Sequence, residues 1–289
     1  KYYGVKNNFS IKLFCTLKIR FFTLFYSMIS SIYIKFNGFD LMYSRNIYAS
    51  FFATFLNIKL IHESHSPENQ TRMIKFLFKR IINSKNTKSL VVISEALKKI
   101  IIDKYNPKPN ILVAHDAADS VDLNNLEKVF NQSDFNIGYI GHLYKGRGIE
   151  LISKVAQKCP KFKFHIIGGK SEDIKFWKQN TKDIDNLFFH GFIEPGKVSS
   201  YQFSCDVLLA PYQKKVSISG NIGDTSKWMS PLKIFEYMSF NKAIICSEFE
   251  VLKEVLSDKK NVIFCNPENI KEWIDAINLL YDDKDLYNN

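Results

Sequence analysis

From residue 136 onward the sequence changes its hydrophobic period about every 20 to 30 residues. Short runs of Val, Ile and Phe at Asn136–Ile140, Phe162–Ile167, Leu187–His190, Asp206–Ala210, Ala243–Cys246 and Val262–Cys265 read as strands. Between and after them, Ile149–Gln157, Glu172–Lys178, Gly196–Ser204, Pro231–Ser239, Glu248–Ser257 and Asn269–Tyr281 carry helical spacing. A strand that is apolar along its whole length is buried on both faces, and strict strand–helix alternation supplies the helices that bury it. Residues 133–289 are therefore expected to form one α/β domain around a parallel sheet.

The first half alternates less cleanly. Asp40–Tyr43 and Lys59–His62 read as short buried strands separated by a helix, Leu90–Ser94 as a strand, Glu95–Tyr105 as a helix and Asn110–Ala114 as another strand. Residues 1–120 are thus expected to form a second, partial Rossmann-like domain. No strand followed by a Gly-rich turn opens it, and with Lys1 in first place the sequence reads as part of a longer chain. The polar stretch Asp116–Gln132 has little periodicity and is the expected interdomain linker.

Charge is distributed unevenly. Residues 1–130 hold 19 Lys/Arg against 9 Asp/Glu, and the remainder 21 against 20. Such a half attracts nucleic acid, an anionic membrane or a phosphorylated substrate, or it is a lysine-rich bias with solvated side chains. Only Arg20, Arg45, Arg72, Arg80 and Arg147 are arginines, and lysine lacks the fork that base readout uses, so no nucleic-acid partner is expected. The five cysteines, Cys15, Cys159, Cys205, Cys246 and Cys265, form no CxxC pair and read as buried free thiols. The longest uncharged apolar stretch, from Phe21 to Ile34, is shorter than the ~20 residues of a membrane span. No signal peptide is recognisable.

Two segments carry chemistry. Ser230–Ser239 reads SPLKIFEYMS: Ser230 is expected to cap a helix with Pro231 in its first turn, whose free N–H groups and dipole attract an anion. Lys233 adds a cation in that turn. Leu232, Phe235 and Met238 form the stripe expected to seat the helix, and Glu236 offers a carboxylate to vicinal hydroxyls. Phosphate and ribose acceptors on one helix suggest a nucleoside diphosphate; the alternative is an ordinary amphipathic helix. The other segment, GYIGHLYKGRG at 138–148, ends a strand in a Gly-rich loop. Gly141, Gly146 and Gly148 permit close backbone approach, and His142, Lys145 and Arg147 supply phosphate donors. Its alternative is a basic surface turn.

In this order, GHLYKGRG-IELI, FHIIGG, FFHGFIEPGKVSSYQFSCDVLLAPY and SPLKIFEYMSFNKAIICSE resemble the retaining GT-B glycosyltransferases of family four, also called glycosyl transferases group 1. The likeness is greatest to the subset reading SPLKxFEYM. It implies two Rossmann-like domains facing each other across a donor cleft, the first incomplete here. In that family an Arg and a Lys after the first C-terminal strand grip the diphosphate; His142 holds the first position here and Arg147 the second. Glu236 matches the family's ribose-binding glutamate, while the partner glutamate eight positions earlier is replaced by Trp228. LIHESHSP at 60–67 resembles the family's strand-end histidine segment, with His65 facing the sugar, and Ser94-Glu-Ala-Leu97 its strand-to-helix turn. The implied donor contacts are Gly141, His142, Gly148, Ser230, Pro231 and Leu232, with His65, Arg147, Lys233 and Glu236 as the acting groups.

The resemblance implies transfer of a sugar from a nucleoside-diphosphate sugar to a glycan or lipid-linked acceptor hydroxyl with retention, in lipopolysaccharide or capsule assembly. No cofactor or metal beyond the donor is expected, since no DxD motif is placed to bind one. A cytoplasmic enzyme at the inner, anionic face of the membrane fits the basic first half. Three rivals remain: a non-catalytic GT-B subunit, favoured by His142 and Trp228, a nucleotide-sugar epimerase on the same fold, and a basic nucleic-acid binder.

Overall fold

The computed structural model describes residues 10–14, 22–216 and 224–283. Contacts divide the chain into two units. The N-terminal unit takes the described chain up to His115 together with Trp228–Ser230; the C-terminal unit takes residues 116–227 and 231 onward. Each holds a parallel-sheet, Rossmann-like α/β domain.

The N-terminal unit runs α1 (Phe22–Phe36), β1 (Met42–Ser44), α2 (Ile47–Phe55), β2 (Leu60–Ser64), α3 (Arg72–Ile82), β3 (Thr87–Val92), α4 (Glu95–Tyr105) and β4 (Asn110–Val113). Its four strands lie in the order β1-β2-β3-β4, all parallel. Helix starts follow local chemistry: Asn46 Oδ1 accepts from the N–H groups of Tyr48 and Ala49, Thr71 Oγ1 from Ile74, and Ser94 Oγ from Leu97. Asn106 ends α4 in the left-handed region, at φ 44°. The sequence reading passed over α3. Its buried residues, Leu77, Phe78, Ile81 and Ile82, are spaced i, i+1, i+4 and i+5, which is a helical period, so the signal for this helix was present in the sequence.

The C-terminal unit runs β5 (Asn136–Ile140), α5 (Ile149–Lys158), β6 (Lys163–Ile167), α6 (Ser171–Asn180), β7 (Leu187–Gly191), α7 (Pro195–Ser204), β8 (Val207–Ala210), α8 (Leu232–Met238), β9 (Ala243–Ser247), β10 (Ile263–Cys265) and α9 (Ile270–Asp282). The six strands are parallel in the order β7-β6-β5-β8-β9-β10, the doubly wound arrangement, with its reversal between β5 and β8. Trp273, Tyr139, Phe162 and Phe164 fill the core. The stretch expected as a linker packs onto this unit: Phe130 stacks on His165 at 3.7 Å, and Ser204 Oγ accepts from the Val129 N–H. Two expectations are corrected. Glu248–Ser257 is a 3-10 turn over Glu250–Glu254, because the Ser257 N–H is taken by Asn261 Oδ1 and Asp258 bonds the Phe264 N–H, which draws the chain off the helical path. Ser230 does not cap α8; Pro231 holds that position and the helix starts at Leu232. Cys159, Cys205, Cys246 and Cys265 are buried free thiols, and Cys15 lies outside the described residues.

Candidate functional site

The reversal of strand order separates the carboxyl ends of β5 and β8. They pair only at Ile137 with Val207 and Gly138 with Leu208. Beyond that point the Tyr237 hydroxyl, from α8, accepts the Ile140 N–H at 2.9 Å and lies 3.4 Å from the Leu209 carbonyl. One buried phenol thereby ties α8 to both diverging strands, at the place where doubly wound sheets bind ligands.

Two loops with glycine backbones meet there. Gly141, directly after β5, has φ 144°, and Gly168, directly after β6, has φ 107°. A Cβ on Gly168 would sit 2.4 Å from the Gly141 carbonyl oxygen, so the loops pack main chain against main chain. Tyr139 pins the first loop by donating its hydroxyl to the His142 carbonyl at 2.6 Å.

A cavity of about 590 Å³ opens beside them. Gly141 and His142 form one wall, Gly168–Lys170 and the Phe192–Ile193 segment after β7 another, and residues 117–119 a third. Helix α8 presents Leu232 and Glu236 to it, and Ser239 lines it just past the helix end. This corrects the expected helix phase: Ile234 and Tyr237 are the buried residues of α8, while Leu232 and Met238 are exposed and Phe235 is half-buried. The three-residue spacing was right but rotated: the Tyr237 hydroxyl bonds the backbone of the diverging strands, which turns Ile234 and Tyr237 to the core.

Electrostatics single out Lys233. Its stem is partly exposed, yet its Nζ is buried without a hydrogen-bond partner. The Nζ lies 3.7 Å above the Tyr139 ring and 3.0 Å from where a Cβ on Gly141 would stand. Burial holds this amine well below its ordinary value, and the Arg147 charge pushes it further; Glu236 and Cys246 oppose. Arg147 and Lys233 are each 5.8 Å from the centre of the Tyr212 ring, so two cations share one aromatic wall. Partial desolvation raises the Glu236 carboxyl, with Lys233 pulling it back. His142, stacked on Tyr144 at 4.7 Å, is held below the usual histidine range by desolvation and by Arg147, Lys233 and Lys170.

The structure therefore brings together Gly141, His142, Arg147, Leu232, Lys233 and Glu236. Gly148 is set apart: it starts α5, its α-carbon closes on the Pro211 carbonyl, and it lines a neighbouring hollow. Ser230 and Pro231 precede α8, whose seven residues give the dipole little length on which to act. His65 belongs to the N-terminal unit. It directly follows β2, its Nε2 bonds Glu63, and its Nδ1 is 3.3 Å from the Arg45 guanidinium. Burial raises the Glu63 carboxyl, but hydrogen bonds from His65 and Tyr43 and the charges of His65 and Arg45 prevail and hold it low. His62, within β2, is a core residue: Ser50 Oγ sits 2.9 Å from its Nδ1, and desolvation lowers its pKa to about 4.

Sequence reasoning missed the aromatic wall, Tyr139 and Tyr212, and the second glycine loop. The repeated glycine directly after a strand, Ile167-Gly168-Gly169, was the available signal for the latter. Nothing in the sequence marked residues 117–119 as a cavity wall.

The profile of the family described as glycosyl transferases group 1 matches residues 124–289, more than half of the chain. An uncharacterized glycosyltransferase of Haemophilus influenzae is 27% identical over 242 residues, covering 80% of this chain and 63% of its own length. This chain therefore spans less than two thirds of that relative. Among solved structures, a glycosyltransferase from Rickettsia africae superposes with a TM-score of 0.74 at 16% identity, covering 96% of this chain and 76% of that one. Anabaena HepE in complex with UDP gives 0.69 at 15%, covering 91% and 74%. With the sheet order, the glycine loops and the family match in agreement, the chain belongs to the glycosyl transferases group 1 family and has the fold of GT-B glycosyltransferases.

Proposed function

We propose that the C-terminal unit binds a nucleoside-diphosphate sugar in the cavity at the ends of β5, β6 and α8, and that the protein transfers its sugar to an acceptor hydroxyl with retention. The observation that carries this reading is the buried, unpartnered Nζ of Lys233 beside the Arg147 charge. A buried ammonium facing a second cation is unfavourable in the empty protein, and an incoming diphosphate supplies the missing countercharge. Glu236 accepts the ribose hydroxyls, while Gly141 and its loop let the phosphates approach the main chain. As the diphosphate departs it gains negative charge, which Arg147 and Lys233, fixed in place, stabilise. The diphosphate takes the acceptor proton on the same face, His65 orients the sugar, and no step is assigned to a metal. UDP bound to the structurally similar Anabaena protein supports a nucleotide donor.

The acceptor is assigned to surface-glycan assembly, as a glycan or lipid-linked chain met at the inner face of the membrane. Thermal unfolding with UDP, GDP, ADP and CMP, each with its common sugars, tests the donor site. Stabilisation by one diphosphate, lost in Glu236→Ala and weakened in Arg147→Ala, is expected; no shift with any nucleotide would refute it. The anomeric configuration of the product, read by NMR, tests retention. His65→Ala is expected to lose turnover and keep donor binding. A non-catalytic subunit is the second reading, because Trp228 replaces the family's first glutamate and packs against the core of the N-terminal unit. Donor hydrolysis by the protein would exclude it.

A further inference from the structure

Helix α3 went unread in the sequence, and its outward face has no role in the donor site. At about 100° per residue, Arg72, Met73, Lys75, Phe76, Lys79 and Arg80 share one arc, opposite the buried Leu77, Phe78, Ile81 and Ile82. Phe76 is 63% exposed and Met73 53%. Phe55 on the neighbouring α2, itself 57% exposed, lies under the Arg80 guanidinium at 4.9 Å. Half-buried Phe51 links the two rings, 5.0 Å from Phe55 and 6.3 Å from Phe76. The surface is thus a small aromatic cluster ringed by cations.

Its charge has no internal answer. Residues 69–94 contain six Lys/Arg and no Asp or Glu, and residues 41–62, which include α2, contain no acid either. None of Arg72, Lys75, Lys79 and Arg80 joins an ion pair among the described residues. A contiguous exposed apolar cluster marks an interaction surface, and one ringed by cations fits a partner that is both apolar and anionic. A bilayer with anionic headgroups satisfies both: the cations meet the headgroup charge while Phe76, Met73 and Phe55 enter the acyl boundary. A polyanion such as RNA would answer the charge but not the apolar side chains.

We infer that the face formed by α3 and the end of α2 docks the protein on an anionic lipid surface. This rests on the reading that the acceptor is met at a membrane and deepens it by naming the contact. No described helix is long and apolar enough to cross a membrane.

Co-sedimentation of the full chain with phosphatidylcholine vesicles, with and without a third of phosphatidylglycerol, tests this, with the UDP-induced thermal shift read on the same preparations. Binding is expected only with the anionic lipid. Lys79→Glu/Arg80→Glu should lower the partition coefficient at least about tenfold, and Phe76→Ser should lower it several-fold at a salt concentration that screens charge. Wild-type protein left in the supernatant at every anionic fraction overturns the inference, whatever nucleotide does. So does full binding by Phe76→Ser, which would mean a polyanion site. Absence of the nucleotide shift with vesicle binding intact would instead overturn the donor reading alone.

Discussion

Tyr237→Phe removes one oxygen atom from the centre of the proposed site. The ring stays, fully buried, so hydrophobic burial is unchanged. What goes is the acceptor for the Ile140 N–H, 2.9 Å away, at a position where β5 has already parted from β8. No strand stands ready to replace it. A buried donor left without a partner costs about 1–3 kcal/mol, and for 150–250 residues each kcal/mol lowers Tm by about 2–4 °C. Calorimetry should therefore show Tm lower by several degrees, up to about 10 °C. Because the same phenol holds α8, and with it Lys233 and Glu236, against the Gly141 loop, nucleotide affinity should also fall. A Tm within 1 °C of wild type and an unchanged nucleotide affinity would refute the view that this hydroxyl braces the open end of the sheet.

Gly168→Ala places a Cβ 2.4 Å from the Gly141 carbonyl oxygen at φ 107°, so both loops must move; a loss of stability of about 2 kcal/mol or more and a weakened nucleotide shift are expected in thermal unfolding. Acid should weaken the C-terminal unit through His165, whose pKa burial and the neighbouring His190 lower to about 3. A histidine that is neutral when folded contributes stability that is complete above the unfolded value near 6.5 and is lost as pH falls toward 3. Denaturant midpoints should decline from pH 7 to pH 4, less steeply in His165→Gln, although His62 adds a decline of the same sign from the other unit. Nucleotide binding should take up a proton in the alkaline range between the lowered pKa of the free Lys233 amine and its ordinary value, which calorimetry in buffers of different ionisation enthalpy detects; no buffer dependence at any alkaline pH would count against that.

How far the sequence revealed this molecule depended on what each segment does. The strands β5 to β9 were legible because short runs of Val, Ile, Leu and Phe dominate them, and the α4 start because Ser94 caps it. Helix α3 was legible too, by the helical spacing of Leu77, Phe78, Ile81 and Ile82, and went unread. The loop with Gly141 and the residues Lys233 and Glu236 stood out by their chemistry and converge in space. The wrong helix phase for α8 has an instructive cause. Leu232 looks like a core residue by type, yet it lines the cavity, and only the register of Ile234 and Tyr237 against the sheet decides the matter. Contributions from residues 117–119 and Tyr212 arise from tertiary placement that no local pattern encodes.

Lys233→Met tests the central claim most directly, because its two expected effects have opposite signs. Removing a buried, unpartnered amine should raise the Tm of the nucleotide-free protein, while the shift induced by the cognate nucleoside diphosphate should largely disappear. An undiminished nucleotide shift in Lys233→Met would contradict the assignment of this lysine, and of the cavity beside it, to the donor diphosphate.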